Sequence, residues 1–151
     1  MKRRKLWLFL FIFYCLCMLQ LLFHRPGYTP ALPYAQQLKY NLIPFETIAL
    51  FLRALLHGSA GTRNHAVINL AGNVIMFLPL GFCLAALWPS LRSVRKIALT
   101  TFLIIFLVEL IQMLTLVGSF DTDDLMLNIL GSLLGYWLFR FVHPKKNAGP
   151  R

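Results

Sequence analysis

The chain has 151 residues, 58% of them hydrophobic and only 13% charged, about half the charged share of an ordinary soluble domain. That balance, with a mean hydropathy of +0.67, excludes the water-soluble globular class and places the chain in lipid. A net charge of +10 would point to nucleic acid in a soluble protein, but here the basic residues cluster at the ends of apolar segments, which argues against that partner.

Four apolar segments predict four transmembrane helices, over roughly 6–23, 66–88, 97–117 and 125–142. Each is long enough to cross a hydrocarbon core as a helix, and lipid permits no other backbone form for an isolated span. The first follows Met-Lys-Arg-Arg-Lys and lacks a small-residue cleavage site, so it reads as an uncleaved signal anchor. Cys15 and Cys17 in it, like Cys83 in the second segment, sit inside apolar runs and read as small buried hydrophobes.

A loop, 24–65, follows. Pro26, Pro30 and Pro33 make its first part extended or turned. The stretch PFETIALFLRALLH, 44–57, places apolar residues at helical spacing but is too short to span. It reads as a short interfacial or re-entrant outer helix, ended by Gly58-Ser-Ala-Gly-Thr. Pro79 predicts a kink in the second span, and Gly81 loosens the turn after it. Residues 145–151 form a short basic tail. The predicted fold is a single all-α membrane domain over 1–151, a polytopic four-helix bundle with one accessory outer helix.

Charge then orients the bundle. With the N-terminus in the cytoplasm, the inner set is Lys2, Arg3, Arg4, Lys5, Arg92, Arg95, Lys96, Arg140, Lys145, Lys146 and Arg151. The outer set is only Arg25, Lys39, Arg53 and Arg63. This is a positive-inside pattern. It predicts a multi-pass membrane protein with both termini cytoplasmic, and contact with anionic lipid at the inner face. The acidic residues fall towards the other side: Glu46, Glu109, Asp121, Asp123 and Asp124.

The polar residues inside the spans follow helical spacing. Asn69 and Asn73 are i and i+4, with Gly72 beside them to allow close helix approach. Glu109 and Gln112 are i and i+3. A carboxyl at membrane depth is costly, so Glu109 must be paired, hydrated or protonated. Asp121, Asp124, Asn128, Gly131 and Gly135 step by 3, 4, 3 and 4, one continuous helix stripe that ends in a Gly-x-x-x-Gly packing seam. Asp121 or Thr122 is the expected helix cap, with Asp124 in a capping-box position. Asp123 lies off the stripe and reads as solvated. Asn69, Asn73, Glu109, Gln112, Asp121, Asp124 and Asn128 are thereby predicted to line one outward-facing pocket. Arg53 and Arg63 are the candidate counter-ions, and Gly72, Pro79, Gly81, Gly131 and Gly135 the packing residues. The histidines His24, His57 and His65 read as solvated rather than catalytic.

The motifs NLIPF at 41–45, NLAGNVIMFLPLGF at 69–82, VELIQ at 108–112 and FDTDDLMLNILGSLLGY at 120–136 resemble the VanZ-like family of bacterial membrane proteins, across nearly the whole chain. The resemblance implies a cell-envelope protein connected with low-level resistance to teicoplanin, a lipoglycopeptide antibiotic acting at the outer membrane face. It carries the family pattern onto Asn69, Asn73, Pro79, Gly81, Glu109, Gln112, Asp121, Asp124, Asn128 and Gly131. Many relatives have an Arg just before the Asp cluster; here that place reads Gly118-Ser119-Phe120.

Three functions compete. The first is a binding protein whose pocket takes an envelope lipid, a precursor or a lipoglycopeptide. The second is a membrane enzyme acting on a lipid-linked substrate through carboxylates, with or without a divalent metal. No His or Cys zinc pattern accompanies it. The third is a small transporter, which four spans permit only as a homo-oligomer, with Gly131 and Gly135 available for association.

Overall fold

Hydropathy marks where a segment can lie in lipid; capping residues mark where its helix begins. In the computed structural model, which describes residues 2–23 and 38–144, the chain forms α1 over Lys2–Phe23, α2 over Glu46–His57, α3 over Ala60–Leu87, α4 over Val94–Leu114 and α5 over Thr122–Val142. All but α2 are long and apolar enough to cross a membrane. The fold is the expected all-α bundle of four spans and one short helix. The proline-rich stretch 25–33 and the basic tail 145–151 lie outside the described residues.

The helix boundaries depart from the apolar ones, for local reasons. α3 begins six positions before the expected 66, because Ser59 Oγ accepts the Thr62 N–H and caps a polar first turn. α4 begins at Val94, capped by Ser93, whose hydroxyl accepts from the Lys96 N–H. It stops at Leu114, short of the expected 117. Leu116 adopts a left-handed φ of 62°, and the Gly118 N–H turns back to the Gln112 carbonyl at 3.1 Å. The chain then pairs Phe120–Asp121 (β2) in parallel with Tyr40–Asn41 (β1). This two-residue ladder is too short to leave a sequence signature.

Glycines set the centre of the bundle. A Cβ on Gly131 would fall on the Val74 carbonyl, one on Gly135 on the Leu78 carbonyl, and one on Gly81 on the Ser132 carbonyl. So α3 and α5 run parallel in backbone contact, and the glycine seam is used within the chain rather than left for a second copy. Gly72 has nothing within 4 Å of its Cβ position; the expected close approach there does not occur, because Gly72 faces away from α5. Around the seam, Phe77, Leu80 and Leu84 of α3, Ile97 and Ile105 of α4, and Tyr136 and Phe139 of α5 form the buried core.

α1 is peripheral: 6% of its span is buried, against 39% in α3 and in α5. Tyr14 Oη donates to the Met76 carbonyl at 2.9 Å, beside Ile75, whose carbonyl loses its helix partner at Pro79. Cys83 is buried as expected, but Cys17 is exposed on the lipid-facing side of α1. The fold gives the bundle a basic end and an acidic end. At the basic end Arg92 Nε donates to the Ala85 carbonyl at 2.8 Å, and its guanidinium lies 5.0 Å from the Phe139 ring centre.

One polar pair crosses the core. The hydroxyls of Thr101 on α4 and Ser132 on α5 meet at 2.7 Å, both fully buried. Thr101→Val leaves the Ser132 hydroxyl unpartnered and is expected to cost about 1 kcal/mol. Adding Ser132→Ala should recover most of that loss. A double-mutant cycle by denaturant titration checks it; purely additive single effects contradict the pairing.

Candidate functional site

At the acidic end, α3, α4 and α5 turn their polar faces towards one another. Asn69 and Asn73 come from α3, Glu109 and Gln112 from α4, Asp124 and Asn128 from α5. All six line one cavity of about 190 Å³, together with Leu21 and Leu22 of α1 and the turn residues Gly118 and Ser119. Helical spacing explains the convergence: each pair is separated by three or four residues and so shares a face.

The partners of these side chains differ in kind. Asn73 Nδ2 donates to Asp124 Oδ1 at 2.5 Å, joining α3 to α5. Gln112 Nε2 donates to the Leu22 carbonyl at 2.8 Å, which holds the end of α1 against α4. Asn69 Nδ2 donates back to the His65 carbonyl at 3.1 Å. Glu109 receives a backbone hydrogen bond from Asp121, yet its Oε2 has no partner, and neither does Asn128 Oδ1. Glu109 is 6% exposed and Asn128 3%. Among the described residues, no Lys, Arg or His lines the cavity. Among the described residues, no three His, Cys, Asp or Glu side chains stand together as a metal-binding group.

Several expected placements change. Asp121 does not line the cavity. It caps α5, accepting the Asp123 N–H at 2.8 Å, and accepts from the Thr47 hydroxyl at 2.7 Å. Asp123, expected to be solvated, is fully buried. Its two oxygens accept the Phe45 and Ile48 N–H groups, at 2.5 and 2.9 Å. Those are orphan donors at the start of α2, so Asp123 caps a helix from 75 or more positions away. The residue at the α2 N-cap is Phe45, in a left-handed conformation with no side-chain cap of its own. Neither Arg53 nor Arg63 enters the cavity. Arg53 lines a separate hollow with Asn41, Glu46 and Thr47, and Arg63 is exposed on the first turn of α3. His57 ends α2, within the expected short helix, whereas His65 is helical rather than in a loop, and Phe51 packs against its ring at 5.7 Å.

Sequence reasoning missed Asn41 and Thr47. Asn41 Nδ2 donates to Thr47 Oγ1 at 2.9 Å, and Thr47 passes the chain of bonds to Asp121. Thr122 Oγ1 donates to the Asn41 carbonyl at 3.3 Å. The segment 41–48 is thus docked on 121–123. The signal available was the polar pair Asn41 and Thr47 in an otherwise apolar stretch.

The four motifs that resembled a family in the sequence are thus the ones that meet in space: the segment 41–45 docks on the start of 120–136, and 69–82, 108–112 and 120–136 each supply side chains to the cavity. The VanZ/LLP1 family profile matches residues 11–143. The chain belongs to the VanZ/LLP1 family. No significant match was found among curated proteins or solved structures. The VanZ/LLP1 match begins inside α1 and ends just past α5, so it takes in every helix that contributes to the cavity.

Proposed function

We propose that this membrane protein binds the polar part of an envelope lipid, a lipid-linked precursor or a lipoglycopeptide in the cavity at its acidic end. We further propose that this end faces outward in a bacterial plasma membrane, with both termini in the cytoplasm; the basic side chains at the opposite end support that orientation. The observation that carries the reading is the pair of buried, unpartnered acceptors, Glu109 Oε2 and Asn128 Oδ1, on a single cavity. Buried polar atoms without partners are rare and expensive in a resting fold, so a pair on one cavity wall is a site prepared for a ligand. Membership in the VanZ/LLP1 family supports an envelope role, including one in lipoglycopeptide resistance.

Hydrogen bonds to charged groups contribute about 1.5–3 kcal/mol each. Glu109→Gln or Asp124→Asn is therefore expected to weaken binding of an envelope lipid or teicoplanin to the purified protein by roughly ten- to a hundredfold. Titration in lipid nanodiscs measures this. Unchanged affinity in both variants removes the cavity as the binding site.

A second reading rests on the same carboxyl. Glu109, with one oxygen free and Asp124 sharing the cavity, is equipped for acid–base chemistry on a bound headgroup. Envelope-lipid analysis of a strain carrying Glu109→Gln separates the two readings: an accumulated precursor favours the enzyme, and an unchanged lipid profile with lost binding favours the binding protein.

A further inference from the structure

The geometry points to a primary ammonium group as the part of the ligand that the cavity holds. This inference rests on the cavity being a binding site. Of the seven polar side chains in its wall, Ser119 included, Asn69, Asn73 and Gln112 each donate one amide hydrogen to a protein acceptor. The buried atoms left without a partner are both acceptors, Glu109 Oε2 and Asn128 Oδ1, and the Asp124 oxygen not bonded to Asn73 adds a third acceptor on the same wall. A group that completes the site must therefore bring donors.

Charge narrows the class. Two carboxyl groups share the cavity, and no basic residue is among its described lining, so an anionic ligand such as a phosphate finds no counter-charge there, whereas a cation pairs with either carboxylate. An alkylammonium presents three N–H donors and no acceptor, which matches three open acceptors. A quaternary ammonium has no N–H. It is bound by cages of aromatic rings, and among the described residues Phe77 is the single aromatic one in the wall. Size narrows it further. A water needs about 10–15 Å³ of such space, so 190 Å³ admits on the order of a dozen heavy atoms. An aminoethyl group fits; a whole glycopeptide does not. Leu21 and Leu22 of α1 give the wall an apolar side, against which the carbon chain of an amphiphile packs. The amine belongs either to a phospholipid headgroup or to another amphiphile.

The test uses the full chain in phosphatidylglycerol nanodiscs, titrated with octylamine, dihexanoyl phosphatidylethanolamine and dihexanoyl phosphatidylcholine. Octylamine should bind at least about tenfold tighter than the choline lipid, a difference of ~1.4 kcal/mol, and Glu109→Gln should remove that preference. If the ethanolamine lipid binds like octylamine, the source is a phospholipid headgroup; if octylamine alone binds, the amine is carried by another amphiphile. Ser119→Lys, at the cavity rim, guards against misfolded variants. It supplies an internal ammonium, so it should block octylamine while raising the unfolding temperature. Equal affinity for the ethanolamine and choline lipids overturns the ammonium inference and leaves the cavity as a binding site. Binding of Mg²⁺ or Ca²⁺ that excludes octylamine overturns it as well. Failure of all three amphiphiles, with Glu109→Gln and Asp124→Asn equally silent towards envelope lipids and teicoplanin, removes both this inference and the binding function.

Discussion

A Gly131→Val, Gly135→Val double variant is expected to lose the folded bundle. Each new side chain begins with a Cβ placed on a backbone carbonyl, Val74 at one site and Leu78 at the other. Neither carbonyl can rotate away as a side chain can, because both belong to the helical ladder of α3. The helices must separate, and the core residues on both sides lose contact together. Overpacking costs about 1–3 kcal/mol at one site where the surroundings yield; two rigid sites should exceed ~3 kcal/mol, a large part of a typical stability of 5–15 kcal/mol. Denaturant titration followed by circular dichroism measures the loss. Gly72→Ala is the matched control, since its Cβ position is empty; there alanine should stabilise α3 by roughly 0.5–1 kcal/mol. A valine variant as stable as the parent refutes the backbone contact.

Asp123→Ala should free α2 without unfolding the spans. Asp123 is fully buried and bonds two N–H groups at the start of that helix. Alanine leaves both donors without partners, at a cost of about 3–5 kcal/mol for two charge-assisted bonds. The loss is local, because α2 has no fully buried residue to hold it in place. Hydrogen exchange at Phe45 and Ile48 should accelerate by roughly two to three orders of magnitude, while amides in α4 and α5 keep their protection. Asp123→Asn retains an acceptor and should lose about half as much. Equal exchange at Phe45 in parent and alanine variant contradicts the cap.

The helical stripes explain why most of the site was legible in the sequence. Within a helix, spacing fixes the face, so Asn69 with Asn73, Glu109 with Gln112, and Asp124 with Asn128 could be grouped before any contact was known. The stripe failed at Asp121 because that residue is the N-cap, with φ −129° and ψ 122°; helical periodicity does not reach a residue with extended backbone. Asp123 was misread for a different reason. Its partners are backbone N–H groups of a distant segment, and a backbone donor carries no residue-type signal. Gly72 shows the opposite limit: a small residue permits close approach but does not say which neighbour will use the space. The four spans were legible from hydropathy, whereas their ends were set by Ser59, Ser93 and Leu116, single residues outside or at the margin of the apolar runs.

The contact between α3 and α5 also fixes an order of manufacture. The ribosome completes α3 well before the seam of α5 exists, and at roughly 5–20 residues per second the wait lasts several seconds. During that interval Asn69 and Asn73 have no Asp124 or Asn128 to face, and the carbonyls of Val74 and Leu78 have no glycine against them. α3 must therefore be held beside the insertion machinery or in loose company with α1 until the last helix arrives. A nascent chain arrested before residue 120 should still be extractable and protease-sensitive, and one released after α5 should resist both. The polar groups of α5, from Asp124 through Asn128 to Ser132, are thus the last to reach partners that α3 and α4 have already put in place.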